Sequence, residues 1–293
     1  MITVNHISLP WGVWNYGGIF PSGETKAAAF AVNKDHNTII LSWDPAAGES
    51  DLLHLFYAMS YIKARTPEAK NTLIMEYVPN ARLDKPLGKD INGGVELLPL
   101  NEYTADYVNS LGFDQVIGIE PHSSKFVEKY RHSIAVYPTM KTLNLISRHT
   151  GYGKELQIAF PDEGSFERYR DIISKDECYS DYLVVRKSRV NGEVCNVEFY
   201  DGKISAKKDL LVVDDICSRG STALETAKVL LEKCPMKKKV YLLVAYLEQS
   251  STYAPHGILS EDSPFEKIFV CGPNPFEKII NPKVEYLSYN RTY

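Results

Sequence analysis

The stretch Leu210–Thr222, LLVVDDICSRGST, constrains this chain more than any other. Leu210–Val213 is a short, purely apolar run, as expected of a strand buried on both faces. Asp214 and Asp215 stand at its carboxyl end. The loop ICSRGST turns at once into TALETAKVLLE, whose spacing is helical. Strand, tight loop and helix in immediate succession form half of a βαβ unit, so the chain is committed to an α/β fold with a mostly parallel sheet.

The rest of the chain follows the same grammar. In the first half, TIILSW, NTLIMEYV and DQVIGIE read as strands. SDLLHLFYAMSYIKAR reads as a helix behind a Ser50 or Asp51 cap, with Leu52, Leu55, Phe56, Met59 and Ile62 on one stripe. LNEYTADYVNSLG reads as a second helix, closed by Gly112. In the second half, LQIAFPD, DYLVVRKS, DLLVVDD, KKVYLLVAYL and KIFVCG are strands, and SFERYRDIIS and STALETAKVLLEKC are helices. At 293 residues the chain is about two typical domains long. The expected division is 1–140 and 141–293, each domain a mostly parallel sheet flanked by helices.

Charge and composition narrow the partners. A net charge of −4 lacks the basic footprint of a nucleic-acid protein. Cys178, Cys195, Cys217, Cys234 and Cys271 are odd in number and show no CxxC spacing, as in reduced cytosolic proteins. The opening MITVNHISLPWGVWNY has no basic segment leading into an apolar core, so it does not read as a signal peptide. No apolar run reaches the ~20 residues of a membrane span. A soluble, cytoplasmic protein without membrane or nucleic-acid partners is expected.

The chemistry of the opening motif follows from its parts. A helix N-terminus presents free N–H groups and the positive end of a dipole, and both attract an anion. Gly220 permits close backbone approach, Ser218, Ser221 and Thr222 offer hydroxyls, and Arg219 brings a full charge. Two carboxylates do not bind phosphate; they suit sugar hydroxyls, directly or through a metal ion. The combination fits a sugar phosphate. A polar strand end followed by an ordinary Ser/Thr cap is the simpler alternative.

VVDDICSRGST resembles the phosphoribosyl-pyrophosphate loop of type I phosphoribosyltransferases and ribose-phosphate diphosphokinases. Further segments, in order, resemble the diphosphokinases. IFPSGE is similar to their nucleotide segment F-S-D-G-E, which assigns Phe20 and Glu24 to ATP. EYVPNARLDK is similar to P-Y-x-x-Y-A-R-Q-D-R, which adds Arg82 and Asp84. DQVIGIEPHSS resembles the D-L-H segment and implies His122 as a metal-linked catalytic group. FPDEGSFERYR resembles P-D-x-G-x-x-x-R, with Asp162 a magnesium ligand. LVVRKSR resembles the start of the catalytic loop, with Lys187 and Arg189 closing over the transferred group. The resemblance implies two tandem phosphoribosyltransferase-like domains and a Mg2+-dependent transfer. In it, the β,γ-diphosphate of ATP passes to the anomeric hydroxyl of ribose 5-phosphate, held by Asp214, Asp215 and residues 218–222. It also implies a homo-oligomer built on dimers, with hexamers usual.

Several positions depart from the family pattern. Its loop D-D-x-x-D-T-G-G-T stands here as DDICSRGST, with Ser218 for an aspartate, Arg219 for a threonine and Ser221 for a glycine. Ser22 replaces an aspartate and Leu83 a glutamine. The more positive loop suggests an acceptor richer in phosphate. ADP-ribose, pyrophosphorylated in NAD synthesis by divergent phage relatives, is that alternative. A catalytically silent, synthetase-associated regulatory protein is a further one, and a plain phosphoribosyltransferase would leave the ATP-side segments unexplained.

Overall fold

The computed structural model describes residues 1–5, 7–9, 18–22, 25–26, 29–45, 48–83, 87–89, 96–123, 125–149, 156–173, 181–190, 193–234, 238–253, 256–273 and 278–287. The chain divides into two compact units, Met1–Val136 and Tyr137–Tyr293.

The first unit runs β1 (Ile2–Val4), β2 (Ile7–Leu9), β3 (Gly18–Ile19), β4 (Thr25–Lys26), β5 (His36–Leu41), α1 (Ser50–Arg65), β6 (Lys70–Met75), β7 (Leu87–Lys89), β8 (Glu96–Leu97), α2 (Leu100–Ser110), β9 (Gln115–Ile119), α3 (Phe126–Lys129) and β10 (Ser133–Val136). Its main sheet has the order β10-β9-β6-β5-β1-β2. From β5 to β10 the neighbours are parallel, while β1 and β2 join antiparallel at one edge. The buried side chains Ile39 and Leu41 of β5, Leu73–Met75 of β6, and Leu55, Met59 and Ile62 of α1 build its core.

The second unit runs α4 (Pro138–His149), β11 (Leu156–Phe160), α5 (Glu163–Ile173), β12 (Leu183–Val190), β13 (Glu193–Asp201), β14 (Asp209–Cys217), α6 (Ser221–Glu232), β15 (Val240–Leu247), β16 (Phe265–Val270) and β17 (Val284–Tyr286). The sheet order is β13-β12-β11-β14-β15-β16-β17, parallel except for the β12–β13 hairpin. Successive side chains of a strand point to opposite faces. Leu210 and Val212 therefore join one core with Ala223, Ala227 and Leu230 of α6. Leu211 and Val213 join the other, with Leu143 and Ile146 of α4 and Tyr169 and Ile173 of α5. All eight residues of β15 are buried, and each large apolar side chain so placed contributes about 1.5–3 kcal/mol.

The fold is the α/β architecture expected, with local differences. Ser50 lies inside α1, whose N-cap is Glu49 without a side-chain cap, and Asp51 instead pairs with the Met1 ammonium. Phe56 is 44% exposed, so the α1 stripe is narrower than its spacing implies. The β14 strand continues through Ile216 and Cys217, because Cys217 still pairs with Leu247. No helix among the described residues is long and apolar enough to cross a membrane. Cys217, Cys234 and Cys271 are free thiols.

Candidate active site at the carboxyl end of the second sheet

Strand order in the second unit reverses between β11 and β14: the chain leaves β11 toward β12 on one side, and β14 leads to β15 on the other. In open α/β sheets ligands bind outside the carboxyl ends of the strands at such a switch point. Asp162 follows β11 and starts α5, accepting hydrogen bonds from Ser165 N (2.9 Å) and Ser165 Oγ (2.8 Å). The N-cap role of this aspartate is therefore real, but it does not exhaust a two-oxygen acceptor. Asp214 and Asp215 stand on the adjacent strand. Asp215 shares parity with Leu211 and Val213 and faces the α5 side, where buried Arg168 meets it, Nη1 to Oδ1 2.9 Å. The same Nη1 is 3.8 Å from Asp214 Oδ1.

One cation thus serves a crowd of carboxylates. Burial first, then the negative charges of Asp215 and Asp162, push the Asp214 carboxyl well above the ordinary aspartate range, and Arg168 offsets only part of this. The Asp214 side chain keeps 19% of its surface open, so it is the member of the pair that a ligand can reach. A divalent cation or a row of sugar hydroxyls would relieve the charge crowding. Mg2+ is commonly held by one or two carboxylates plus substrate phosphates, and one or two of these carboxylates would fit that mode. Among the described residues no three His, Cys, Asp or Glu side chains are gathered as a ready-made metal cage.

The loop after β14 is shaped by contacts from behind. Gly220, at φ +82°, is the N-cap of α6, and no side chain caps that helix. A Cβ at Gly220 would lie 2.3 Å from Ile258 Cγ2, so the position excludes every other residue on two counts. Ser218 Oγ lies 2.7 Å from Ser250 Oγ, and Ser221 opens the helix with Thr222 behind it. Arg219 is exposed and has no ion-pair or hydrogen-bond partner among the described residues. The result is a helix N-terminus backed from behind, with an exposed guanidinium beside it.

Other residues singled out in the sequence lie elsewhere. Phe20 sits at the turn between β3 and β4 and is 47% exposed, which removes a core role for it. Arg82 is exposed in the segment after β6, and His122 is half-buried just after β9, the strand beside β6. Both therefore follow the carboxyl ends of neighbouring parallel strands in the first unit. Glu24 and Asp84 lie outside the described residues. Lys187 and Arg189 are on β12, opposite Val197 and Val194 of β13, so this stretch is the rising arm of a hairpin; their side chains lie outside the described residues.

Sequence reasoning missed two contributors, Ser250 and Ile258, which back the loop and carry no motif. Arg168 is the arginine of the FPDEGSFERYR segment, but its pairing with Asp215 is not given by that match. The one available signal was for Arg168: an arginine in register with Ser165, Tyr169 and Ile173 on the buried face of α5 needs an internal counter-charge.

No family model matches the chain. It is 27% identical over 168 residues to a ribose-phosphate pyrophosphokinase of Methanothermobacter thermautotrophicus, covering 57% of this chain and 52% of that protein. The chain thus spans about half the length of that relative in the match. A ribose-phosphate pyrophosphokinase of Buchnera aphidicola is 22% identical, over 92% of this chain and 82% of its own. One of Mycoplasma pneumoniae is 24% identical, over 90% and 74%. The fold is similar to a crystal structure of phosphoribosylpyrophosphate synthetase from Mycobacterium smegmatis, with TM-score 0.66 and 16% identity, over 92% of this chain and 84% of that one. In sequence the chain is similar to ribose-phosphate pyrophosphokinases, and in fold to a phosphoribosylpyrophosphate synthetase.

Proposed function

We propose that the chain transfers the β,γ-diphosphate of Mg2+-bound ATP to the anomeric hydroxyl of a ribose 5-phosphate moiety and releases AMP. The observation that carries this reading is the switch-point arrangement in the second unit. Two carboxylates, one reachable, stand beside a helix N-terminus without a side-chain cap, with the exposed Arg219 next to it. Asp214 and Asp215 hold the ribose hydroxyls, and the amides and hydroxyls of residues 218–222 hold its phosphate. The sugar oxygen attacks the β-phosphorus, its proton goes to solvent, and the α–β bridging oxygen leaves on AMP. No covalent enzyme intermediate is needed, so positioning and charge neutralisation supply the rate.

The nucleotide side rests on resemblance. Phe20, Glu24, Arg82 and Asp84 hold ATP, and exposure of Phe20 supports a stacking role. Lys187 and Arg189 neutralise the group in flight. Mg2+, held by Asp162 with His122 on the nucleotide side, would supply charge neutralisation on the phosphate oxygens. The active assembly is a homo-oligomer built on dimers, which light scattering would check, and it works in the cytoplasm.

A second acceptor is favoured by one specific feature. Arg219, exposed in the loop, suits an acceptor whose 5-oxygen carries a diphosphate, as in ADP-ribose, with a role in NAD synthesis. The experiment is an AMP-release assay of the pure chain with ATP, Mg2+ and each acceptor in turn. Turnover with ribose 5-phosphate alone establishes the first reading, and turnover favouring ADP-ribose the second. No AMP with either acceptor overturns the transfer and leaves a binding-only, regulatory chain.

A further inference from the structure

The acceptor loop is gripped by the segment that leaves the neighbouring strand. β14 and β15 stay in register to their last residues, with Cys217 opposite Leu247, and Glu248 N still donates to Cys217 O at 2.9 Å. There the two segments part, one into residues 218–220, the other into a 3-10 turn, Gln249–Thr252. Side chains close the gap. Ser218 Oγ and Ser250 Oγ are 2.7 Å apart, and two residues further on Gly220 is pressed against Ile258.

The support under Ser250 is itself fixed. Ser251 N donates to Glu248 O (3.0 Å), Tyr253 N to Ser250 O (3.3 Å), and Thr252 Oγ1 to Gln249 O (2.7 Å). Ser250 can therefore restrain Ser218 rather than follow it. Between the two anchored positions, 218 and 220, stands Arg219, pointing to solvent without a partner among the described residues. A serine pair also suits the place electrically: it is neutral, whereas a carboxylate at 218 would face any phosphate in the cradle.

We infer that Ser250 is a positioning residue for acceptor specificity: through Ser218 it holds residues 218–222 in their anion-receiving shape and presents Arg219 outward. This rests on the reading that the loop binds the acceptor phosphate. Ser250 acts on ground-state binding of the phosphate, remote from the bonds that change, so its loss raises the acceptor KM more than it lowers kcat.

The test pairs calorimetric binding of ribose 5-phosphate with AMP-release kinetics for wild type, Ser218→Ala, Ser250→Ala, the double variant and Ser250→Thr. Loss of one neutral hydrogen bond corresponds to a rise of about fivefold in Kd and acceptor KM. That rise is expected for Ser250→Ala, with kcat and the ATP KM within about twofold of wild type. Ser250→Thr, which keeps the hydroxyl, should restore binding. The double variant should be no worse than Ser218→Ala, because Ser250 acts only through Ser218. Unchanged affinity in Ser250→Ala, or single effects that multiply in the double variant, would overturn the role of Ser250. Wild type that binds ribose 5-phosphate yet forms no AMP would overturn the proposed reaction while the Kd series still decides Ser250. Wild type that binds no phosphorylated ribose would overturn both.

Discussion

Arg168 Nη1 lies 2.9 Å from Asp215 Oδ1, with the two side chains only 5% and 2% exposed. A helix and a strand are thereby tied at the point where the acceptor is proposed to bind. Removing one partner of a buried pair leaves an uncompensated charge, at a cost of about 3–5 kcal/mol. Arg168→Met is expected to lower unfolding stability in urea by that amount. A loss below about 1 kcal/mol would show that Asp215 does not depend on this partner.

The pH dependence of stability should carry the signature of Asp214. Its folded carboxyl titrates well above its ordinary value of 3.8, chiefly through burial and secondarily through Asp215 and Asp162. Above pH 3.8 the folded state therefore binds a proton that the unfolded state has released, and stability falls as pH rises through the folded value. Asp214→Asn removes this term, so the variant should gain stability relative to wild type toward neutral and alkaline pH. Urea midpoints followed from acid to alkaline pH test this; parallel curves for the two proteins would refute it.

Binding should expel that proton. Mg2+ with ribose 5-phosphate places positive charge and hydroxyl donors against Asp214, which favours the ionised form. Titration calorimetry in buffers of different ionisation enthalpy should show net proton release in wild type and less in Asp214→Asn. A heat independent of buffer would mean that Asp214 keeps its protonation state on binding.

Gly220→Ala should be costly, since φ is +82° and the added Cβ would meet Ile258 Cγ2 at 2.3 Å. The expected loss is about 1–3 kcal/mol, with weaker acceptor binding. Ile258→Ala should cost less in the Gly220→Ala background than in wild type, because it relieves that clash. Additive losses would place the strain elsewhere.

Arg219→Ser should separate the two acceptors. A charge-assisted contact to a second phosphate is worth about 1.5–3 kcal/mol, or roughly tenfold and more in kcat/KM. If ADP-ribose is used, its kcat/KM should fall by at least that factor, while ribose 5-phosphate changes less. Equal losses with both acceptors would remove Arg219 as a reader of the diphosphate.

Legibility of the site followed distance along the chain. Apolar runs and turn residues revealed β14, the loop and α6, because strand periodicity and a positive-φ glycine are properties of neighbouring residues. The resemblance singled out Asp162, and the sheet order places it on the strand end next to β14. DYLVVRKS reads as the strand β12, but the returning strand Glu193–Asp201 is not legible, since it gains its partner from residues before it in the chain. Phe56 sat correctly on the helical stripe of α1, but its exposure depends on what covers that face.

The sequence by itself determined a parallel α/β chain with two aspartates at a strand end and a glycine-containing turn into a helix, since each of those features is written in consecutive residues. Only the tertiary structure decided that Arg168 faces Asp215, that Ser250 clasps Ser218 across 32 positions, and that Ile258 closes the space behind Gly220. Those partners meet because the sheet order carries α5 and the end of β15 to the two sides of β14. Side-chain polarity signals the need for a partner but not which strand will deliver it.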